Sequence, residues 1–524
     1  MSGKTIEPAS IFNDVIGPVM TGPSSSHTAG PARIGKAVRL LAGEPPRRVR
    51  IVFKKGGSYP GTYNRQGSDK GFVGGLLGFD PDHERLGKSL DIAAGQGIDV
   101  SFEVEPLDHP HPNTARIHVC GASGREHVFL TLSTGGGMFE IVAMDGHAVS
   151  VTGVFHEVMI FGPNGGALDG LAALASGAGG RVVRDRDDQG CFMQLTFDRS
   201  IPETVLDEVS RLERDECCTA TRMDPILPVA GKFTYTLPFT TAAEAVRHAD
   251  PIWTTPADLA LEYEHARSGL EPDEIISRMV DIVRTMRRAA ANGLADDLPV
   301  SGYMAPKAAS MARAAAGTDL ADLGIMRRGM LIATAIMEYN SAGGIVVAAP
   351  TAGSCGVLPA VVLSMAETSD ITEEEQARAL LAAGLVGVFI AHQATFAAEV
   401  CACQAEVGAA TAMAAAATVQ LLGGNAQQAF DAAGLALQNV LGLVCDPVAG
   451  LVAIPCINRN SMGAANAVVS ANMVLCGFDP IIPLDEVIVA MREIGGLLPS
   501  ELRCTNRGGL CLTPTALRLS DSLL

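Results

Sequence analysis

No lysine follows Lys307 in this chain of 524 residues. A Schiff-base mechanism needs a lysine amine, so pyridoxal phosphate has no anchor in the cysteine-bearing part beyond Lys307, although Lys54, Lys55 and others stand upstream. Positive charge is scarce throughout: 39 Lys and Arg against 57 Asp and Glu leave a net charge of −18. Nucleic acid and anionic membranes bind basic surfaces, so neither is an expected partner. A small anionic substrate stays open, because local arginines and amide donors outweigh a distant net charge. The opening MSGKTIEPASIFNDVIGP lacks a basic segment followed by an apolar one and is not read as a secretory signal. The uncharged run from Ser341 to Ala366 contains Pro350, Ser354 and Pro359, which predicts a buried, interrupted helix rather than a membrane span. A disulfide framework is missing too. The 12 cysteines include adjacent Cys217 and Cys218 and the close pair Cys401 and Cys403, which read as reduced thiols or ligands. A reducing, cytoplasmic setting is expected.

What the chain has is small and apolar. Hydrophobic residues make up 48%, only 18% are charged, and 57 are glycine. That composition supplies a large core and favours close-packed helices, and the length suggests about three domains.

The rest is organised around Glu399 to Gly463, which holds Cys403, Cys445 and Cys456. Pro447 and Pro455 flank the last two cysteines, which places them at helix ends or on a loop. The spacings, 42 and 11 residues from the numbering, are not those of a zinc finger. Two readings stand: three thiolates that hold three irons of a [4Fe–4S] cluster and leave the fourth free, or three small hydrophobes in an Ala-rich core.

The motifs C-Q-x-E-V-G and L-x-C-D-P-V-x-G-L-V-x-x-P-C-x-x-R-N closely resemble the catalytic domain of the iron–sulfur L-serine dehydratases, and the resemblance extends over nearly the whole chain. It implies that Cys403, Cys445 and Cys456 are cluster ligands, that the fourth iron acts as a Lewis acid on the substrate hydroxyl, and that a base removes the Cα proton. The products would be ammonia and a 2-oxo acid, pyruvate in the case of serine.

Taken in order, residues 1–152 form a sheet-containing unit. It opens with GPSSSHTAGPARIG, a loop feeding a helix N-terminus, where N–H groups favour an anion; an ordinary serine cap is the plainer reading. GPSSSHT is the signature of the family's N-terminal domain. It implies that Ser24, Ser25, Ser26, His27 and Thr28 lie near the substrate, with His27 a candidate base. A strand over Val49–Phe53 leads to a loop in which Gly57, Ser58, Thr62 and Asp69 match the family pattern G-S-x-x-x-T-G-x-G-H-x-T-D. Ser58 is a candidate substrate ligand. Gln66 replaces the pattern's histidine, and a carboxamide cannot act as a base, so this chain needs another base or a different substrate. The motif HPNT adds His111 as a second candidate base, with Asn113 and Thr114 as substrate ligands; a surface histidine is the alternative. LSTGGGMFEI allows close backbone approach, as in packing this unit on the next.

Residues 153–230 read as β-α-β-β-α-β, a ferredoxin-like sandwich resembling an ACT domain with GPNGGAL at its ligand turn; a purely structural or dimerising module is the alternative. A linker spans 231–255. Residues 256–524 read as an all-helical catalytic domain, with one helical periodicity from Ala257 to Asn292 and Ala-rich helices over Gln376–Ala391, Gly408–Leu422 and Ala426–Leu441. The whole is α+β. Cys355, in the family-like loop APTAGSCG, is expected to line the site. Arg507, in the terminal R-G-G-L segment, is a candidate clamp for a carboxylate, and Cys504 and Cys511 are the nearest cysteines for contact with the open iron. A small-molecule amino acid substrate and a homodimer are expected from the resemblance. Rival readings are the same cluster chemistry on cysteine or another β-hydroxy amino acid, and a non-catalytic amino-acid sensor.

Overall fold

A computed structural model describes residues 7–163, 165–187, 190–250, 254–317 and 320–523. Asn164 of the GPNGG segment singled out above, and Asp188 and Gln189 of the D-Q-G segment where the sequence predicts a turn, lie outside the described residues.

After the short strand β1 (Val19–Thr21), the chain builds a six-stranded sheet. Its strands are β2 (Pro46–Lys54), β3 (Asp99–Glu105), β4 (Thr114–Gly121), β5 (Glu126–Gly135), β6 (Met138–Met144) and β7 (His147–Val151), in the order β3-β2-β4-β5-β6-β7. Only β2 and β3 run parallel. Alternation along β2 turns Val49, Ile51 and Phe53 into the core and leaves Arg48 and Arg50 to pair with Glu126 and Glu103 outside. Helices Gly30–Ala42 and Ser68–Leu76 lie against each other on this core. At Gly35 a Cβ would collide with the backbone of Phe72, Gly75 and Leu76, so glycine sets how closely the pair can pack.

A second sheet contains β8 (His156–Gly162), β9 (Arg181–Asp187), β10 (Gly190–Phe197) and β11 (Thr219–Met223), all antiparallel in the order β11-β8-β10-β9. Helices Gly165–Gly177 and Glu203–Arg214 complete the expected β-α-β-β-α-β order and share its core. The second helix does so through Val205, Val209 and Leu212.

The remainder is mostly helical, with three differences from expectation. The periodicity from Ala257 to Asn292 is two helices, Pro256–Ser268 and Pro272–Gly293. Gly269 ends the first at φ 79°, and Pro272 restarts the chain. The run Ser341–Ala366 starts at the end of helix Met326–Ser341 and then forms a strand, β12 (Ile345–Val347), which pairs with β1, so this part is not purely helical. It continues through a short turn into helix Val357–Thr368. No helix among the described residues is long and apolar enough to cross a membrane. Third, the N-terminal segment belongs to the helical core. Ile11, Phe12, Val15 and Ile16 are buried there, and Glu264 accepts from Ser10 Oγ (2.9 Å) and Ile11 N (2.8 Å).

At the centre, helices Glu373–Gln393 and Val407–Leu421 pack together with Ala426–Gln438 and Cys456–Leu475. From Val407 to Val419 every residue is buried, which alanine permits because it needs little room and no polar partner. The GGG turn between β5 and β6 takes positive φ at Gly135, Gly136 and Gly137 and runs against Pro18, Phe396 and Ala397. It fastens the first sheet to the segment that carries Glu399 and Cys403.

Candidate functional site

The SSSHT motif forms one wide turn, Ser25–Ala29, that feeds helix Gly30–Ala42. Its five side chains do five different things. Ser24 Oγ accepts from His27 N (3.2 Å) and is a cap. Ser25 Oγ accepts from Ala352 N (3.3 Å), which ties the turn to the helical part. Thr28 Oγ1 donates to Gln66 O (2.7 Å). Ser26 and His27 form the centre of the site.

Ser26 Oγ donates to Glu399 Oε1 (2.8 Å) and lies 2.9 Å from His27 Nδ1, itself 3.4 Å from the same carboxylate oxygen. With its proton on Glu399, the Ser26 hydroxyl accepts from Nδ1–H, so the lone pair of His27 sits on Nε2; this tautomer follows from the hydrogen-bond network. Nε2 is 3.0 Å from Ser58 Oγ, which in this tautomer gives its one proton to Nε2, with the carbonyl of Cys504 3.1 Å from the same oxygen. The imidazole is wholly buried, with the Tyr59 ring edge-on at 5.1 Å. Burial pushes the His27 pKa below its usual value while Glu399 pulls it up. Glu399 is raised by burial but held below the usual carboxylate range by His27, with help from the Asn113 and Ser26 side chains. The pair is a neutral imidazole beside an ionised carboxylate at neutral pH.

His111 differs from His27. Its Nδ1 accepts from Asn113 N (3.1 Å), so a neutral ring carries its proton on Nε2 and is a donor rather than a base. Burial lowers its pKa, and Glu399 acts on it in the opposite sense. Thr114 Oγ1 donates to His111 O (2.7 Å), which makes it a fastener of the HPNT turn. Asn113 is fully buried.

The cysteines meet on the far side of Ser58. Cys403, Glu406 and Cys445 place ligand atoms within 4.8 Å of one another. Cys504 packs with Cys403 and Cys445 and shares the hydrogen bonding of Cys445. Cys456, the first residue of helix Cys456–Leu475, stands outside the 4.8 Å group but feels the charges of Cys403, Glu406 and Cys504. Arg459, one turn along that helix, puts Nη1 3.7 Å from Cys403 Sγ and Nη2 3.0 Å from Asp446 Oδ1. The Cys445 thiol donates toward Cys403 and holds the Cys403 pKa down against burial, with Arg459 helping. The neighbouring thiols push Cys445 well up, and burial does the same to Cys456. Three buried thiols that cannot all ionise by themselves suit a cationic group that would let them, and sulfur donors suit iron. Cys403, Glu406 and Cys445 form a group that could hold a metal, with Cys456 and Cys504 beside it.

The other sequence candidates lie elsewhere. Arg507 is exposed and reaches Ser500 Oγ (3.4 Å), so it does not join the buried group. Cys355 faces Met337 Sδ (3.6 Å), Cys401 faces Met491 O (3.3 Å) and Cys511 faces Gly508 O (2.8 Å). Glu399, Glu406, Arg459 and Tyr59 were missed. Two signals could have found them. Glu399 and Glu406 are acids inside an otherwise uncharged small-residue run, and Arg459 follows Cys456 by three, on the same helix face.

A family model described as "Serine dehydratase alpha chain" matches residues 207–511. The "L-serine dehydratase 2" of Escherichia coli (strain K12) is 34% identical over 513 residues, 94% of this chain and 96% of that protein. The "L-serine dehydratase" of Streptomyces coelicolor is 31% identical over 496 residues, again 94% and 96%. The "Probable L-serine dehydratase, alpha chain" of Bacillus subtilis is 47% identical over 191 residues, 36% of this chain and 64% of that protein. Matches of this length, together with thiols and a serine–histidine turn brought to one place, show that the chain belongs to the serine dehydratase family, in its single-chain form.

Proposed function

We propose that the protein is an L-serine ammonia-lyase of the iron–sulfur hydro-lyase type. The reading rests on one observation above the others: the hydrogen-bonded series Ser58–His27–Ser26–Glu399 abuts the buried thiols through the Cys504 carbonyl. A [4Fe–4S] cluster on Cys403, Cys445 and Cys456 would supply Lewis-acid help to the departing hydroxide, a contribution of several kcal/mol. The chain's own residues do the rest. His27 takes the Cα proton at Nε2 across the Ser58 hydroxyl, and Ser26 and Glu399 hold the ring in the accepting tautomer. His111 offers a proton from Nε2, and Asn113 stands beside it as a substrate ligand. Loss of the proton and of hydroxide leaves an enamine, which tautomerises to an imine. Water then releases ammonia and pyruvate.

The same reading makes residues 153–230 an ACT-like module, 1–152 and 256–524 the parts that close on the substrate, and the protein a cytoplasmic homodimer. The test is anaerobic purification, followed by iron content, the visible spectrum and 2-oxo acid release from L-serine, L-threonine and L-cysteine. About four irons per chain and pyruvate from serine are expected. Iron with inert serine but active cysteine or threonine would move the substrate assignment, and absence of iron would sink the mechanism.

A further inference from the structure

Around His27 the second carboxylate oxygen of Glu399 and both ends of the Asn113 amide are buried without a well-formed hydrogen bond; Glu399 and Asn113 have each other as nearest polar neighbours, and the Tyr59 hydroxyl leans on Ser133. Folded chains pair such atoms almost without exception, so a group of them in one place marks a partner that arrives with a ligand. They share one neighbourhood. The Asn113 carbonyl accepts from Ser133 N (3.1 Å), and Ser133 Oγ donates to Ser26 O (2.7 Å). The Tyr59 ring abuts His27, and the charge of Glu399 acts on His27, His111 and Tyr59 alike.

Glu399 uses its two oxygens unequally. Oε1 serves Ser26 and His27; Oε2 makes no well-formed hydrogen bond and has the Asn113 side chain as its polar neighbour, though the Glu399 side chain is only 1% exposed. Among the described residues no lysine or arginine forms an ion pair with it. The site therefore holds a buried carboxylate oxygen, a buried amide oxygen and no resident cation.

We propose that Glu399 Oε2 and Asn113 Oδ1 receive the α-ammonium group of the substrate. An ammonium brings the charge that a lone carboxylate lacks and has N–H donors for both oxygens. Asn113 Nδ2, the end of the amide that can donate to the Glu399 carboxylate, keeps the two oxygens facing the same ligand. The assignment rests on the lyase reading above and deepens it: the substrate is a zwitterionic α-amino acid, and a hydroxy acid without the amine is refused. It also explains why one side chain serves both roles. A nitrogen on Oε2 is one bond from the Cα whose proton leaves, while Oε1 fixes the base.

The test compares L-serine with 3-hydroxypropanoate, which keeps the hydroxyl and carboxylate but has no amine, on the anaerobically prepared full-length holoprotein. The KM for serine is set against the inhibition constant of the analogue. If serine is not consumed, both are read as ligand-induced rises in melting temperature, with L-cysteine and 3-mercaptopropanoate as a second pair. Wild type should favour the amino acid by at least about tenfold. Glu399→Gln should weaken the amino acid by about 10–100-fold, the scale of a lost buried charge pair, and leave the deamino analogue within about threefold. Asn113→Ala should shift the ratio the same way by a smaller factor. If serine is inert but cysteine shows the Glu399-dependent preference, the substrate assignment fails and the ammonium site stands. Equal binding of serine and its analogue by wild type overturns the proposal, and that arm needs no variant to fold. Loss of both ligands alike in Glu399→Gln, or a fall in kcat with the ratio unchanged, also overturns it, since Glu399 would then act only through His27. An ordered water as the sole partner of Oε2 predicts the same unchanged ratio.

Discussion

Gln66 donates its side-chain amide to the backbone carbonyl of Gly450, 3.0 Å away, at the position where the family pattern carries histidine. Its neighbour Arg65 donates to Ala449 O (2.8 Å) and to Ser520 Oγ (2.9 Å). The two residues hold the tight turn between Cys445 and Cys456, in which Ala449 and Gly450 both take positive φ. Gln66 is a fastener of the cysteine loop, and that is chemistry a carboxamide can do. We expect Gln66→Ala to leave the buried Gly450 carbonyl unpaired and to cost about 1–3 kcal/mol. Denaturant unfolding gives the cost, and the rate of chelator-driven iron loss should rise in parallel.

Arg459 joins the cysteine loop to its helix by pairing with Asp446 beside Cys403. Arg459→Met strands Asp446, which is only 4% exposed. The expected loss is about 3–5 kcal/mol, that of breaking a buried ion pair from one side. Arg459→Lys restores the charge but not the two-pronged geometry and should recover only part of it. Melting temperature and iron retention are the measurements.

The pH dependence of catalysis should report His27. Its folded-state pKa is lowered by burial, so the ring stays neutral below the ordinary value of about 6.5. Between those two values the unfolded chain binds the extra proton, so stability falls as the pH drops through that window and is unaffected above it. The acid limb of kcat/KM should lie below about 6.5, and His27→Gln should lower the rate by about 10²–10⁴-fold. A retained acid limb in the variant would assign that limb to another group.

Glu157 makes the opposite prediction. It is buried in β8, accepts from Gln194 and Thr196, and has its pKa pushed up to about 8 by burial. The folded chain holds that proton where the unfolded chain, near 4.5, has lost it. Stability therefore falls as the pH rises through this range, by up to about 1.4 kcal/mol per unit. Glu157→Gln should flatten the slope and stabilise the protein at pH 8, as seen in urea midpoints across the range.

Much of the fold was legible because it is local. The strand over Thr219–Met223 and the β-α-β-β-α-β order follow from alternation and turn residues, and the Ala-rich helices follow from composition within one or two turns of their observed ends. The break at Gly269 to Pro272 was in the letters too, and a single periodicity hid it. The burial of Ile11 and Val15 against Gly384 and Gly387 was not legible, because nothing near position 11 names a partner so far along the chain.

The candidate site divides the same way. Sequence alone determined which residue types stand ready: a serine–histidine turn, an HPNT turn and three cysteines, two of them beside prolines. Only the tertiary structure decided their division of labour. It made Ser24 a cap and Ser26 a bridge, gave His27 an accepting Nε2 beside Ser58 and His111 a protonated one, left Arg507 outside and brought in Glu399 and Arg459. The reason is physical. Hydroxyls, imidazoles and carboxylates take their roles from whichever donor or acceptor lies within about 3 Å, and at a buried site that neighbour comes from elsewhere in the chain.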